Sequence, residues 1–452
     1  MRRNIYVMVM AGIMSVSVLQ AQVANDTQLH LMQPDFGTLP YCVPQTQKVK
    51  QDIDRVLHYL EEAMPMEVEN GRLRQGSMRL SSYEAGVIYC AATDAALRTG
   101  DMRYRNFASD RLGGMARLVP LVLDSLVKNK NYDRQMRPLV MPHSLDDSGA
   151  MCAAYCRLAL NDKENDFAAV INGYMGRIRK IYRIGDDRIF ARWFPHYNSV
   201  WLDDMYMGVP PLAWYGALRN DTASLAEAVR QIQAFRSRMW VELPSVGDIE
   251  QGLFRHGWVE EMQPHPFFPW GRANGWAILT LCEVLDAMQA ADYTKGRDEL
   301  LSLLRRHIAG LCSVQDQTGL WHQLLNDPSS FPETSASAIF TYCMAHAICE
   351  GWIDPIAYGA QTLLAWNAVS EKINARGQVE GTVVGSGMGF DRAFYCHRPC
   401  HPLAAHGYGP VIWAGSEIIR MLNITHPKMN DGAIHFYQKE QTAKTTTFSE
   451  IR

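Results

Sequence analysis

The sequence predicts an all-α chain whose helices pair into about six hairpins and close as an (α/α)6 barrel. Three observations carry that expectation. Apolar residues recur at helical spacing through most of the chain, while strand-like alternation is scarce. About twelve segments meet the helical criterion. A layout of extended stretch, polar loop and helix returns along the chain, with two helices per unit.

The helical segments, taken in order, span 44–63, 82–99, 104–127, 147–160, 165–182, 203–219, 222–240, 272–290, 294–314, 334–350, 354–370 and 410–423. Pro210 and Pro211 interrupt the sixth, which predicts a kink or a late start there. The repeated layout is plainest in the stretches that open at Arg188, Gly252, Gly319 and Gly377, which begin 64, 67 and 58 residues apart. Such a period implies stacked helical hairpins. Six of them close into a ring that buries an inner set of helices; an open helical solenoid is the alternative. The loops that precede the inner helices are long and rich in Trp, His, Pro and Gly. The other connections, such as 220–222 and 291–293, are short. That asymmetry predicts one face carrying an aromatic-lined cleft.

Composition narrows the function classes. Of 452 residues, 47% are hydrophobic and 20% charged, with a formal net charge of −3, so a disordered chain is excluded and a sizeable core is expected. No long Lys or Arg run signals a nucleic-acid partner. Length alone suggests about three domains, which the repeat replaces by one ring. The 11 Trp, 19 Tyr and 15 Phe supply flat faces that suit sugar rings as well as cores.

The first 21 residues read as a secretory signal peptide. Arg2 and Arg3 start it, Ile5 to Leu19 form its apolar stretch, and cleavage is expected after Ala21. An exported, periplasmic or secreted protein follows, with no membrane attachment after cleavage and no lipidation Cys behind the site. A lead-in over 22–42, the barrel over 43–425 and a polar tail over 426–452 complete the expected organisation. The ten cysteines form no dense disulfide framework. Cys152/Cys156 and Cys396/Cys400 are the pairs whose spacing suits a bridge or shared ligation.

Four constellations could carry chemistry. Trp201-Leu202-Asp203-Asp204 enters an inner helix; adjacent helical side chains point about 100° apart, so one acid can face the cleft while the other caps the helix. Trp270-Gly271-Arg272-Ala273-Asn274-Gly275-Trp276 puts a guanidinium at a helix start between two indoles, which suits a carboxylate on a ring; an Arg paired with an internal acid is the plain alternative. His256 lies in Arg255-His256-Gly257-Trp258, and Asp146-Asp147-Ser148-Gly149 resembles a cap or turn. The Gly385–Gly389 run lacks the Lys-Ser/Thr of a phosphate loop, and the Cys396-His397…Cys400-His401 cluster lacks zinc-module spacing, so no cofactor and no metal are expected.

In order along the chain, WLDDMYMGVPPLA (201–213), RHGWVE (255–260), WGRANGW (270–276), ETSASA (333–338) and GSGMGFD (385–391) resemble glycoside hydrolase family 105, the unsaturated rhamnogalacturonyl hydrolases, related to the family 88 unsaturated glucuronyl hydrolases. The resemblance covers residues 51–422. It implies an (α/α)6 barrel and a small oligosaccharide substrate ending in an unsaturated uronic acid. It also implies a hydrolysis begun by hydration: an Asp protonates C4 of the C4=C5 enol ether, water adds at C5, and the hemiketal collapses with loss of the linkage.

The resemblance implies Asp203 as that acid, its pKa raised by a neighbouring carboxylate that is Asp146 or Asp147, with Asp204 still open as the acid itself. His256 matches the active-site His, and Arg272 the partner of the C5 carboxylate. Trp201, Trp258, Trp270 and Trp276, with His322 in the loop GLWHQLL, are the expected substrate-binding residues. A non-catalytic glycan-binding helical protein and another (α/α)6 sugar enzyme, such as a lyase, are the competing readings. No oligomeric state is implied.

Overall fold

Helices that are apolar on one stripe must bury it, and helices that are apolar all round must be covered on every side. Both kinds occur in the computed structural model, which describes residues 41–69, 72–129, 133–162, 165–430 and 432–438. Twelve long helices run through these residues: α1 (Thr46–Ala63), α2 (Tyr83–Thr99), α3 (Met102–Asn129), α4 (Leu145–Asn161), α5 (Ala168–Ile178), α6 (Asp203–Arg219), α7 (Thr222–Met239), α8 (Gly271–Ala290), α9 (Arg297–Cys312), α10 (Thr334–Cys349), α11 (Pro355–Ser370) and α12 (Tyr408–Thr425). The predicted signal peptide lies outside the described residues, as do most of the lead-in and residues 439–452 of the tail.

The even-numbered helices pack on one another in sequence, α2 on α4, α4 on α6, onward to α12, and α12 returns to α2. This closed inner ring settles the choice between barrel and open solenoid. Each odd-numbered helix lies on one inner helix: α3 on α2, α5 on α4, α7 on α6, α9 on α8, α11 on α10. The sixth outer position is filled by α1, which packs on α12, so the two ends of the helical chain form the last pair. The sequence pattern follows this division. On α1 the buried residues Val49, Ile53, Val56, Leu57 and Leu60 make one stripe, whereas α10 is buried from Thr334 through Ile348.

Pro210 and Pro211 do not delay or divide α6, which runs from Asp203 to Arg219 with both inside it. Pro211 removes the N–H that the Met207 carbonyl would receive and pushes that oxygen outward. Gly149 on α4 accommodates it: a Cβ added there would lie 1.6 Å from Met207 O. The proline pair is therefore tolerated because the neighbouring helix has no side chain at the point of contact.

Strands are short and confined to loops. The exception that the helical reading passed over is a hairpin of Trp240–Val246 and Ile249–Phe254, whose turn at Gly247 has φ 59°. Its signal was local: Gly247-Asp248 between Val246 and Ile249 is a two-residue hairpin loop. Among the described residues all ten cysteines are free, so neither proposed Cys pair is a disulfide.

At the C-terminal end of the inner ring a charged cluster fills the barrel. Arg157 on α4 donates to both oxygens of Glu283 on α8 (2.7 and 2.6 Å) and to Asp94 on α2, while the indoles of Trp214 and Trp413 donate to Glu283 and Asp94, each at 2.6 Å. Arg98 pairs with Glu417, which also meets Arg420 at 2.9 Å and His346 at 3.3 Å. Every one of these buried carboxylates has a cation against it, which offsets its desolvation.

Candidate active site

The N-terminal ends of the inner helices meet at the opposite face. Free backbone N–H groups and the helix dipole favour anions there, and four of the six helix starts carry acids: Glu84, Asp146 with Asp147, Asp203 with Asp204, and the cap residue Glu333.

The entry to α6 is set by a two-stranded pairing. Ser199–Trp201 lies antiparallel to Gly257–Val259, with Trp201 opposite Gly257, and Leu202 N donates to His256 O at 2.9 Å. This register brings His256, fully buried, to Asp203: His256 Nε2 and Asp203 Oδ2 are 2.8 Å apart. The other ring nitrogen, Nδ1, meets the Tyr395 hydroxyl at 2.7 Å, and Gly389 N–H donates to the same hydroxyl at 2.9 Å. Nε2–H donates to Asp203, and the Tyr395 hydroxyl lies between Nδ1 and Gly389 O, the latter at 3.4 Å, so it has an acceptor for its proton on either side. Burial holds the Tyr395 hydroxyl above its ordinary pKa, so it keeps the proton it donates.

The acid doublet divides as helix geometry requires. Asp204 is buried and bound side-on by Arg192, Nε to Oδ2 at 2.9 Å and Nη2 to Oδ1 at 2.8 Å. Asp203, 15% exposed, faces the cleft. The second doublet divides likewise. Asp147 turns back to its own helix start, where Oδ2 accepts from His143 N (2.8 Å) and Arg137 Nη2 (3.3 Å). Asp146, 35% exposed, turns to the cleft and accepts from Arg192 Nη2 at 3.3 Å. Asp146 is therefore the neighbouring carboxylate and Asp147 is a structural cap residue.

The two cleft carboxyls are pushed in opposite directions. Burial, reinforced by the charges of Asp204 and Asp203 and opposed by Arg192, raises Asp146 to about 6. Burial also works to raise Asp203, but the charge and hydrogen bond of His256, with Arg192 and Arg272 behind them, outweigh it and hold Asp203 below its ordinary value. The expectation that Asp203 itself is raised is thus reversed: Asp146 takes the rise, because Asp203 has the better partners.

Several expected substrate contacts are spent elsewhere. Arg272 is 1% exposed; Nη1 donates to Val383 O (2.7 Å) and Ser335 Oγ (3.3 Å), and Nη2 to Val384 O (2.8 Å). With Glu333, which accepts from Val383 N at 2.8 Å, it anchors the segment leading to residues 385–391 instead of presenting its fork to the cleft. Trp270 is buried beneath the His256 ring, centroids 4.5 Å apart, and Trp276 stacks on Tyr206 in the core. Trp258 projects from the opposite face of its strand to Trp201's partner and meets His265 and Arg238. His322 is held by Asp316 at 3.1 Å and by Ser330 O. Of that set, Trp201 remains at the site, its indole under the Arg192 guanidinium at 4.4 Å.

The glycine-rich run covers Trp201. Met388 packs on Trp201 with Val259, and a Cβ on Gly257 would lie 1.7 Å from Met388 Sδ, so the Gly of RHGWVE makes room for the cover. Sequence reasoning passed over Arg192, Tyr395, and the pair of Tyr83 and His406. Tyr83 Oη lies 2.6 Å from His406 Nε2, and its hydroxyl feels the charges of Asp146 and Asp203. Burial and the Arg272 charge keep His406 neutral. Only Arg192 left a signal, as a cation in the extended stretch that runs into the acid doublet.

Comparison with known proteins agrees with this architecture. The model of Glycosyl Hydrolase Family 88 matches residues 53–422. The unsaturated rhamnogalacturonyl hydrolase YesR of Bacillus subtilis is 40% identical over 88 residues, which is 19% of this chain and 25% of that protein. An unsaturated 3S-rhamnoglycuronyl hydrolase of Formosa agariphila is 23% identical over 317 residues, 65% of this chain and 78% of its own. Thus the match spans only a quarter of the first of these relatives. Among solved structures, a "possible member of GH105 family" from Salmonella enterica superposes with TM-score 0.65 at 21% identity, covering 86% of this chain and 98% of that one. The unsaturated glucuronyl hydrolase of Bacillus sp. GL1 does so with TM-score 0.55 at 15% identity, covering 84% and 96%.

Proposed function

Because the chain belongs to glycosyl hydrolase family 88, we propose that it removes a terminal 4,5-unsaturated uronic acid from the small oligosaccharides that lyases release, with rhamnogalacturonan products as its first substrate class. The observation that carries this reading is the pair Asp146 and Asp203, two carboxyls under the charge of one guanidinium, that of Arg192, with opposite shifts. Carboxyls whose environments push them apart divide acid and base work. Below about 6 Asp146 keeps its proton, while Asp203 gives its own up more readily than an ordinary carboxyl, so the pair offers an acid beside a base.

The chemistry needs that proton and then a base. The pair protonates C4 of the enol ether, and cationic character develops at C5. Water adds at C5 and gives its proton back to the pair, which leaves it as it started. The C5 hemiketal then opens and the glycosidic linkage breaks. His256, fixed by Tyr395, orients Asp203 toward the reacting carbons, as a base needs a third group to hold it. No second carboxylate at glycosidase nucleophile spacing is required.

The test is the ultraviolet absorbance of the C4=C5 bond with a panel of lyase-digested polysaccharides. Decay of that absorbance supports the reading, and its identity across the panel names the leaving sugar. Growth of absorbance on intact polysaccharide would identify a lyase instead, and binding without either change a capture protein. The reading also takes the protein to be exported; a mature chain starting at Gln22, read by mass spectrometry of the extracytoplasmic fraction, checks it.

A further inference from the structure

A uronate is an anion at neutral pH, so a site that recognises it needs a cation with donors free to meet a carboxylate. Two guanidiniums act on Asp203, those of Arg272 and Arg192. Arg272 is enclosed, with both terminal nitrogens committed to the Val383 and Val384 carbonyls and Ser335. Arg192 is different. Its side chain is 24% exposed, it bonds to Asp146, and its charge acts on Asp203 as well.

The guanidinium has two edges that can each take a carboxylate bidentately. In Arg192 the side-on edge, Nε and Nη2, is filled by Asp204 at 2.9 and 2.8 Å. The end-on edge is nearly open. Nη2 makes one long contact there, 3.3 Å to Asp146, and Nη1 has no hydrogen bond among the described residues. The Trp201 ring lies 4.4 Å from the group, and the backbone of Arg192 is pinned by a reciprocal pair with Ser199 at 2.7 and 3.1 Å. The fork is therefore held rigid by three neighbours with one edge facing out. Rigid donors bind a ligand with little ordering cost.

We infer that Arg192, through its end-on edge, is the receptor for the C5 carboxylate of the unsaturated uronic acid, a role that rests on the function proposed above. A carboxylate on Nη1 and Nη2 replaces the long contact to Asp146. C5 is bonded to that carboxylate and C4 to C5, so both reacting carbons arrive beside Asp146 and within the field that the same guanidinium shares with Asp203. Binding also draws the positive charge of Arg192 away from Asp146, which favours the protonated form of that acid at the moment a proton is needed. Asp204 keeps the fork in place throughout, which explains why the acid doublet is useful: one member works in the cleft and the other holds the receptor.

The experiment compares the unsaturated disaccharide as the free acid and as its methyl ester, in the wild type, Arg192→Gln and Arg192→Lys. The acid-to-ester ratio of kcat/KM is the readout, because any loss of folded protein or of general activity cancels in it. The wild type is expected to favour the acid by on the order of 10²-fold, the scale of a charge-assisted pair. Arg192→Gln should bring the ratio to within a few-fold of unity, while Arg192→Lys, which keeps the charge but loses the fork that serves Asp204 and the substrate together, should fall between the two. A wild-type ratio that survives Arg192→Gln, or a wild type that does not discriminate, overturns the assignment. If the wild type turns over neither compound, the proposed function has failed on its own. The same acid and ester are then compared by calorimetry, where loss of acid-selective binding in Arg192→Gln supports the receptor and unchanged binding refutes it.

Discussion

At the C-terminal end of the inner ring Asp94, Glu283 and Glu417 each touch a guanidinium, and indoles donate to Glu283 and Asp94. At the N-terminal end Asp146 has one long contact to Arg192, and Asp203 has an imidazole. The same six helices thus present acids at both ends with different degrees of compensation. Where the cations outweigh burial the acids are held charged: burial works against Glu417, yet Arg98, His346 and Arg420 keep it well below its ordinary range, and Arg157 with Arg98 holds Asp94 below its own, while at Glu283 burial outweighs Arg157 and raises the carboxyl. Where compensation is partial, a carboxyl titrates near pH 6 in a cleft. The site is thus marked less by the presence of acids than by what their neighbours withhold.

The comparison breaks most sharply at Arg157. Arg157→Met leaves Glu283 and Asp94 buried without their shared cation, and the denaturation midpoint should fall by an amount equivalent to about 3–5 kcal/mol. Activity per folded molecule, measured below that midpoint, should stay near wild type; a matching collapse in kcat would show that the two ends are not separable. Asp203→Asn inverts the result. Circular dichroism and melting should be near wild type while kcat drops at least about 10²-fold.

Asp146→Asn sharpens the comparison through pH. Asp146 is protonated below about 6, so a rate that needs its proton falls as pH rises through that value. In the Asn variant that alkaline limb should vanish, with a loss of about tenfold at the wild-type optimum. The sign for stability follows from the same raised pKa. Charging Asp146 is harder in the folded than in the unfolded chain, so stability should decline from the ordinary carboxylate value near 4 up to about 6 and level off above. Melting curves of wild type and variant across that window read the difference. The smallest effect is expected for Tyr395→Phe. It removes the hydroxyl that fixes His256 Nδ1, a hydrogen bond worth about 1 kcal/mol, so kcat should fall by roughly fivefold with the folded state intact.

Much of the fold was legible because its signals are local. The twelve helical stretches, the return of the loop-and-helix layout and the long-loop face all appear in the sequence as periodicity and composition, and all correspond to the ring observed. Within the site, Asp203 and His256 were legible from their motifs, and the structure joins them at 2.8 Å. The choice between Asp146 and Asp147 was not, because both lie in the first turn after Ser144 and only the turn geometry shows which one bends back to His143 N. The unbroken path of α6 through Pro210 and Pro211 was hidden for a related reason: Gly149, on another helix, makes the room.

The sequence by itself determined the ring of hairpins and the acid doublet that opens α6, since helical periodicity and the order of motifs depend on residues close in the chain. Tertiary structure alone decided which arginine meets the cleft. Arg272 is withdrawn by carbonyls 111 and 112 residues away, at Val383 and Val384, whereas Arg192 is claimed on one edge by Asp204 and left open on the other. A guanidinium's availability is the remainder after all its neighbours are served, and those neighbours are chosen by the folded chain.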